Sequence, residues 1–554
     1  MISKIRVVKQ ILILASLSYL FFVLGNGVLS LTSPDEVFYA QTAKEMIRHK
    51  SWMTPYLFGQ PQFEKPVLTY WLLRLGFVLF GVSSFAARFF PAVFAFLGVI
   101  AVYLLSLLGF KNEKKAFISS TILMSCGLYV GLARTLFTDM IFSILTLVSL
   151  TAFFWGYSSK ETKAAGILLS FVFSSLAVLT KGPLGLLIPF LVIIGFLLVK
   201  NDIKFLFCRS FLWGIFIFLL LSLPWYIVMI KKYGSGFVHE FFYNDHFRRI
   251  IEAEHEGNDK WYFYPFSMAS GMFPWSLYAV ASLIYLIKKF RHNAPSIEVF
   301  LICWIAVVFV IFQTAHSKLV SYILPLFPAL AMISGDFIYD SALLKKGARS
   351  LFLVSIGTLA MLLLVPIGLT AGLMKSSVYL STYLPSKIPV YYFITALLAI
   401  IILMLFFILR NKLFKSVYIP ALVMPVFLLA VPMISNDIEP YISSKKACEY
   451  LLRNYAVNNT ILCSKPFVRG VRYYTDKEVA VINIGGKSLF SPHPVPLLDS
   501  DSKARDFLDQ QRITYCVLNR SSVVKDVGRL MGNEFKFTVL KIIGNEYLLR
   551  IERL

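Results

Sequence analysis

Carboxylates and cations recur in the short polar stretches that interrupt long apolar runs of this 554-residue chain. Asp35 and Glu36 stand in Ser33-Pro34-Asp35-Glu36, Glu64 and Lys65 in Phe63-Glu64-Lys65-Pro66, and Arg134 shortly precedes Asp139. Lys181 lies in Leu179-Thr180-Lys181-Gly182-Pro183. His246, Arg248, Arg249, Glu252, Glu254 and His255 share the stretch 231–266, and His316 and Lys318 follow near Thr314. Such a set can hold an anion and move charge. Arg grips phosphate oxygens with a bidentate fork and Lys meets them as a point charge. A carboxylate can take a proton from a nucleophile or offset positive charge growing on a sugar carbon.

Each residue also has an ordinary structural explanation. Ser33 as N-cap, Pro34 at the first helical position and Glu36 reaching back form a capping box, with acids favoured at the positive helix end. Asp139 can be a helix-start acid held by the dipole. Glu64 and Lys65 can be a neighbouring surface pair, Lys181 an interfacial lysine that snorkels, and Arg248 and Arg249 solvated loop charges. The conjunction favours chemistry, because all of these groups fall at one edge of the apolar segments, where an ionised group is costly unless paired or used.

The apolar segments must do the positioning. An apolar fraction of 58%, 15% charged residues and a mean hydropathy of +0.72 exclude a soluble globule and describe a polytopic membrane protein. About thirteen stretches reach the length needed to cross the hydrocarbon, near 11–31, 83–109, 115–133, 140–157, 164–180, 183–199, 210–230, 268–287, 296–313, 319–338, 349–372, 389–409 and 416–434. The first follows Lys4, Arg6 and Lys9 without a small-residue cleavage site, which predicts a retained anchor with a cytoplasmic N-terminus. Alternating through the spans puts the basic clusters at 111–115, 160–163, 200–204, 288–291, 345–349 and 410–415 on that same side, and the candidate residues on the other. Much of the net charge of +24 is therefore topological, so a phosphorylated lipid suits it better than nucleic acid. The six cysteines show no metal or disulfide spacing.

An odd number of spans leaves the tail outside the cytoplasm. The division reads as a membrane domain at 1–435, with outer loops at 32–82 and 231–267, and a soluble domain at 436–554. In the tail, helical spacing at 445–455, 502–511 and 522–531 alternates with strand-like 460–463, 479–484, 513–518, 535–543 and 547–551, which predicts a small α/β domain. A transporter would also place ionisable groups beside many spans, but with inverted halves and charges near the bilayer midplane; here charge gathers at one rim and no duplicated half is visible.

In order along residues 1–335, Asp35-Glu36 with Tyr39, Phe63-Glu64-Lys65-Pro66, Arg134 with Asp139, Leu179-Thr180-Lys181-Gly182-Pro183, His246-Phe247-Arg248-Arg249, and Ser317-Lys318 with Tyr322-Ile323-Leu324-Pro325 resemble the bacterial aminoarabinose lipid A transferases. Those belong to the GT-C glycosyltransferases, which include the protein O-mannosyltransferases. The resemblance implies a GT-C membrane domain with an outer α/β domain, probing a bacterial inner membrane from its periplasmic side. It implies transfer of a sugar, 4-amino-4-deoxy-L-arabinose first, from undecaprenyl phosphate to a lipid A phosphate, by single displacement with inversion. Another sugar, or a protein or polysaccharide acceptor, stays open.

Residue by residue, the resemblance makes Asp35 and Asp139, with Glu36 beside them, the acids of the sugar site. It makes Lys65, Lys181, Arg249 and Arg248 the cations around the donor phosphate and Tyr322 a hydrogen-bond donor to it, with His316 and Lys318 further polar groups at the same rim. Glu64 matches a position that can bind a metal in the family, but the histidine partner falls on Asn244, with His239 and His246 nearby. Zinc at Glu64 and His246 thus competes with a plain Glu64–Lys65 ion pair. With a hydroxyl acceptor Asp35 would act as general base; a phosphate acceptor is already anionic, and Asp35 would orient the reactants instead. No heptad or small-residue motif calls for more than a monomer.

Overall fold

The computed structural model describes residues 4–252, 258–289, 295–375, 388–485, 494–530 and 534–554. Among these, ten helices are long and apolar enough to cross a membrane, and two more spans are bent pairs. Leu184–Val199, a shorter apolar helix of 16 residues, occupies the position of the remaining expected span at 183–199. The chain is a multi-pass membrane protein.

The bends have a local cause. Glu113–Met124 and Gly127–Ala133 meet at 65°, and Phe263–Gly271 and Ser276–Lys289 at 114°. A broken helix in an apolar medium frees backbone groups that have no water to turn to. Here the two breaks serve each other: the Gly127 amide donates to the Phe273 carbonyl at 2.8 Å, and the Trp275 indole donates to Ser125 Oγ at 2.9 Å.

The basic clusters gather at one end of the bundle. Lys115 bridges Asp336 and Asp340, Lys289 pairs with Glu298 at 2.6 Å, and Arg6 with Glu113 at 2.9 Å. Arg291 and neighbouring residues of that cluster lie outside the described residues.

At the other end, the stretch expected as a loop at 32–82 is largely structured. Helix Asp35–Arg48 is followed by a short antiparallel hairpin, Tyr56–Leu57 with Gln60–Pro61, and by helix Leu68–Phe80. Thirteen residues cannot cross a bilayer, and the exposed Val78 and Leu79 at the tip of this last helix give it an apolar outer end.

The final span reaches Ile442, and the soluble domain follows from helix Lys445–Asn454. Its six-stranded sheet runs in the order Leu497–Leu498, Val479–Ile482, Ile461–Cys463, Ile513–Leu518, Glu546–Arg553, Phe535–Ile543. The first four strands are parallel and the last two antiparallel. Parallel neighbours need a crossover, and helix Val468–Thr475, which the sequence pattern does not reveal, joins Ile461–Cys463 to Val479–Ile482.

That crossover helix lies on helix Asp35–Arg48 of the membrane domain, and one apolar core runs through both. Polar contacts fix the seam. The Ser33 amide donates to the Ile442 carbonyl at 2.9 Å, the Tyr474 hydroxyl to the Leu31 carbonyl at 3.2 Å, and Asp476 takes Lys44 at 2.7 Å and Arg48 at 2.8 Å. These cations hold the Asp476 carboxyl below the usual range against the burial that would raise it.

Candidate active site

Between the membrane bundle and the soluble domain lies a cavity of about 470 Å³. Asp35, Tyr39, Glu64, Lys65, Asp139, Lys181, Arg249 and Tyr322 line it, so residues from six separate stretches of chain converge. Burial pushes the Tyr39 hydroxyl well above its ordinary pKa, helped by Tyr70, Asp139 and Asp35, so it enters the cavity protonated.

The cations are held by specific partners. Lys181 ends its span, ion-paired to Asp139, with its ammonium 4.0 Å from the centre of the Tyr322 ring. The next residue, Gly182, has φ +75°, and a Cβ there would stand 2.4 Å from His246 Nε2. Only glycine turns the chain tightly enough to leave Lys181 at the rim. Lys65 reaches both oxygens of Asp245, at 2.9 and 2.7 Å. Arg249 meets the same carboxylate at 3.1 Å and donates to the Tyr322 hydroxyl at 3.0 Å. Lys65, Arg249, Tyr322 and Lys181 thereby form one connected bank. Asp245, which joins two of its members, was not singled out in the sequence; its signal is the spacing of Asp245 and Arg249, one helical turn apart.

Glu36 does not belong to the cavity. It is fully buried and accepts from Arg88 Nε at 2.7 Å and Nη2 at 2.6 Å, from the Thr32 amide at 2.9 Å and from the Leu136 amide at 2.8 Å. Burial alone would raise its pKa; Arg88 and these amides overcome that and hold it below the ordinary value. The capping idea survives in altered form: Pro34 precedes the helix, Asp35 begins it, and Glu36 reaches back to Thr32.

Other expected residues also serve the scaffold. Arg248 turns outward to Glu252 at 2.7 Å and is absent from the cavity lining. His316 is tied to the Ile250 carbonyl at 2.8 Å, while Lys318 donates to the carbonyls of Asp259 and Lys260, both at 3.2 Å. His316 and the Ser317 amide, which donates to the Arg249 carbonyl at 3.0 Å, clamp the segment that carries Arg249. Arg134 donates to the carbonyls of Phe21 and Leu24, at 3.1 and 2.9 Å, where the first span ends. Glu254 and His255 lie outside the described residues.

The residues near Glu64 do not fit a zinc site. His246 Nδ1 is engaged by the Phe241 carbonyl at 2.7 Å and its Nε2 faces the Lys181 carbonyl at 3.4 Å. Asn244 donates to Glu240 at 2.7 Å. Among the described residues no three His, Cys, Asp or Glu side chains converge on one point, whereas zinc takes three or four such ligands.

The soluble domain contributes as well. Lys465, Pro466 and Arg469 complete the cavity wall, although nothing in the local pattern of the tail marks them.

A bundle with broken spans, a structured rim and an α/β domain closing a charged cavity is the GT-C architecture. Residues 64–227 match the family described as dolichyl-phosphate-mannose-protein mannosyltransferase. The chain is 32% identical over 342 residues to the undecaprenyl phosphate-α-4-amino-4-deoxy-L-arabinose arabinosyl transferase 2 of Proteus mirabilis, covering 59% of this chain and 60% of that one. An uncharacterised protein of Aquifex aeolicus is 30% identical, with 64% of this chain and 69% of that one covered. The fold is that of ArnT from Cupriavidus metallidurans, solved bound to undecaprenyl phosphate: TM-score 0.77 at 18% identity, over 97% of both chains. The archaeal oligosaccharyltransferase AglB of Archaeoglobus fulgidus is a more distant match, with TM-score 0.54 at 13% identity over 93% of this chain and 70% of that one.

The chain belongs to one family with the uncharacterised Aquifex aeolicus protein and is similar to the aminoarabinosyl transferases over part of their length. Its alignments span about six tenths of the length of the curated members named for that transfer.

Proposed function

We propose that this protein transfers a sugar, 4-amino-4-deoxy-L-arabinose foremost, from undecaprenyl phosphate to a lipid A phosphate at the periplasmic face of a bacterial inner membrane. The observation that carries this reading is the bank of Lys65, Lys181, Arg249 and Tyr322 facing Asp35 across a cavity at the membrane rim. The names of its relatives supply the donor class.

The chemistry follows from the placement. The donor phosphate sits on the cationic bank, its polyprenyl tail in the bilayer. An acceptor phosphate oxygen attacks the anomeric carbon, and the bond from that carbon to the donor phosphate oxygen breaks, its electron pair leaving with undecaprenyl phosphate. Lys65, Lys181 and Arg249 stabilise the charge that grows on the leaving group. Asp35, Asp139 and Glu64 make the sugar side acidic, which suits an amino sugar and an oxocarbenium-like transition state. The acceptor is already anionic, so Asp35 orients the reactants and no covalent enzyme intermediate is required. The protein works as a monomer in contact with membrane lipids.

Mass spectrometry of lipid A and membrane glycolipids tests this, from cells with the protein, without it, and with Asp35→Ala at matched levels. A pentosamine mass on lipid A that needs the intact protein is the expected result. Unchanged lipid A with altered protein or polysaccharide glycosylation would move the acceptor; no change in any glycan would point to transport instead.

A further inference from the structure

The cavity has a second cationic wall, and the soluble domain builds it. Lys465 lies in the turn after strand Ile461–Cys463, and Arg469 in the first turn of helix Val468–Thr475. Arg469 is no solvated surface charge: its guanidinium lies 4.5 Å from the centre of the Phe38 ring, and its Nε is buried without a hydrogen-bond partner among the described residues. The short helix that carries it is pinned at both ends. A Cβ on Gly470 would stand 2.4 Å from Ser33 Oγ, and the C-cap residue Asp476 is held by Lys44 and Arg48. Packing of this kind aims a side chain rather than leaving it to wander.

Charge balance gives the wall a purpose. The membrane half brings Lys65, Lys181 and Arg249 against Asp35, Glu64, Asp139 and Asp245, three cations facing four carboxylates. With the donor phosphate on its three cations, the membrane half has no positive charge left over for a second phosphate. Lys465 and Arg469 bring the cations to five. Geometry separates the two sets: the first three are joined through Asp245, Tyr322 and Asp139, whereas Lys465 and Arg469 come from the soluble domain, with Arg469 beside Phe38. Displacement with inversion brings the entering and leaving oxygens to opposite sides of the reacting carbon, so each needs its own cations.

We propose that Lys465 and Arg469 form an acceptor subsite for a phosphate monoester, leaving Lys65, Lys181 and Arg249 to the donor phosphate. This rests on the transfer reading above and adds that the soluble domain selects the acceptor.

The test uses the full chain in detergent, as wild type, Lys465→Ala, Arg469→Ala and Arg469→Lys, with thermal midpoints checked first. Three probes are titrated: a monophosphoryl disaccharide lipid, the same lipid after phosphatase treatment, and undecaprenyl phosphate. Transfer kinetics are measured with donor and acceptor varied separately. Arg469→Ala should weaken the monophosphoryl lipid and raise its KM about tenfold, the loss expected for one charge-assisted hydrogen bond. The dephosphorylated lipid, undecaprenyl phosphate and the donor KM should be unmoved, and Arg469→Lys should recover part of the loss. Equal weakening of undecaprenyl phosphate would assign the pair to the donor and overturn the proposal, as would an unchanged acceptor affinity in both alanine variants. If the wild type binds the monophosphoryl lipid through Arg469 but transfers no sugar, the subsite stands and the transfer reading falls. If it transfers sugar while both alanine variants keep the acceptor KM, the reverse holds.

Discussion

Asp35 and Glu36 are neighbours with opposite surroundings, because successive residues of a helix point about 100° apart. One carboxylate lines the cavity; the other is sealed against Arg88. Asp35→Asn should therefore keep the thermal midpoint and lose turnover by about a hundredfold or more, the usual worth of a positioned carboxylate in the reacting site. Glu36→Gln leaves a buried guanidinium without its counter-charge, a change that costs about 3–5 kcal/mol. Its thermal midpoint should fall steeply, and whatever protein remains folded should turn over normally. Thermal melting in detergent alongside transfer rates separates the two, and a Glu36→Gln protein that melts like wild type yet transfers like Asp35→Asn would return Glu36 to the chemistry.

The element where the soluble domain meets the last span carries a buried acid of its own. Glu546 opens strand Glu546–Arg553, 3% exposed, with the Ser444 hydroxyl donating to one oxygen. Burial pushes its pKa up to about 7, against an ordinary 4.5. Between those values the folded chain holds a proton that the unfolded chain has released, so stability falls as pH rises through this window, by about 3 kcal/mol in all. Wild-type protein should melt higher at pH 5.5 than at pH 8. Glu546→Gln should remove that part of the pH dependence and melt above wild type at pH 8; parallel pH profiles for the two proteins would refute the assignment. Other elements differ in how far the sequence reveals them. The spans were legible because a run of apolar residues has one cheap solution in a bilayer. Their bends were not, since the pairing of Gly127 with Phe273 depends on two segments meeting in space. Asp35, Lys65, Asp139, Lys181 and Arg249 could be picked out because charge at an apolar boundary is expensive, and Tyr322 only through the family resemblance. Glu36 misled for the same reason: its partner Arg88 lies inside another helix. Helix Val468–Thr475 was hidden by Val, Tyr and Gly, which favour other conformations. The demand for a crossover between parallel strands overrides that preference, and Arg469 was hidden with it.

At the scale of the whole molecule, the cavity and the basic clusters occupy opposite ends of one bundle. Lys115, Lys289 and Arg6 meet acids at the end away from the soluble domain, while Lys65, Lys181 and Arg249 meet theirs beneath it. The excess of Lys and Arg in these loops predicts that they lie on the cytoplasmic side, and we propose on that basis that the donor is bound from the other side. Orientation is thus a consequence of residues that take no part in the reaction. It can be read with a membrane-impermeant maleimide on single cysteines placed in exposed positions, Lys160→Cys in the loop before Lys163–Lys181 and Ser502→Cys in helix Asp501–Asp509. Of the six native cysteines, Cys126, Cys448, Cys463 and Cys516 are buried, and replacing half-buried Cys208 and Cys303 by serine clears the background. In intact spheroplasts Ser502→Cys should label and Lys160→Cys should label only after permeabilisation. The opposite pattern would put the cavity in the cytoplasm, where a periplasmic acceptor could not reach it, and the reaction would need a different acceptor altogether.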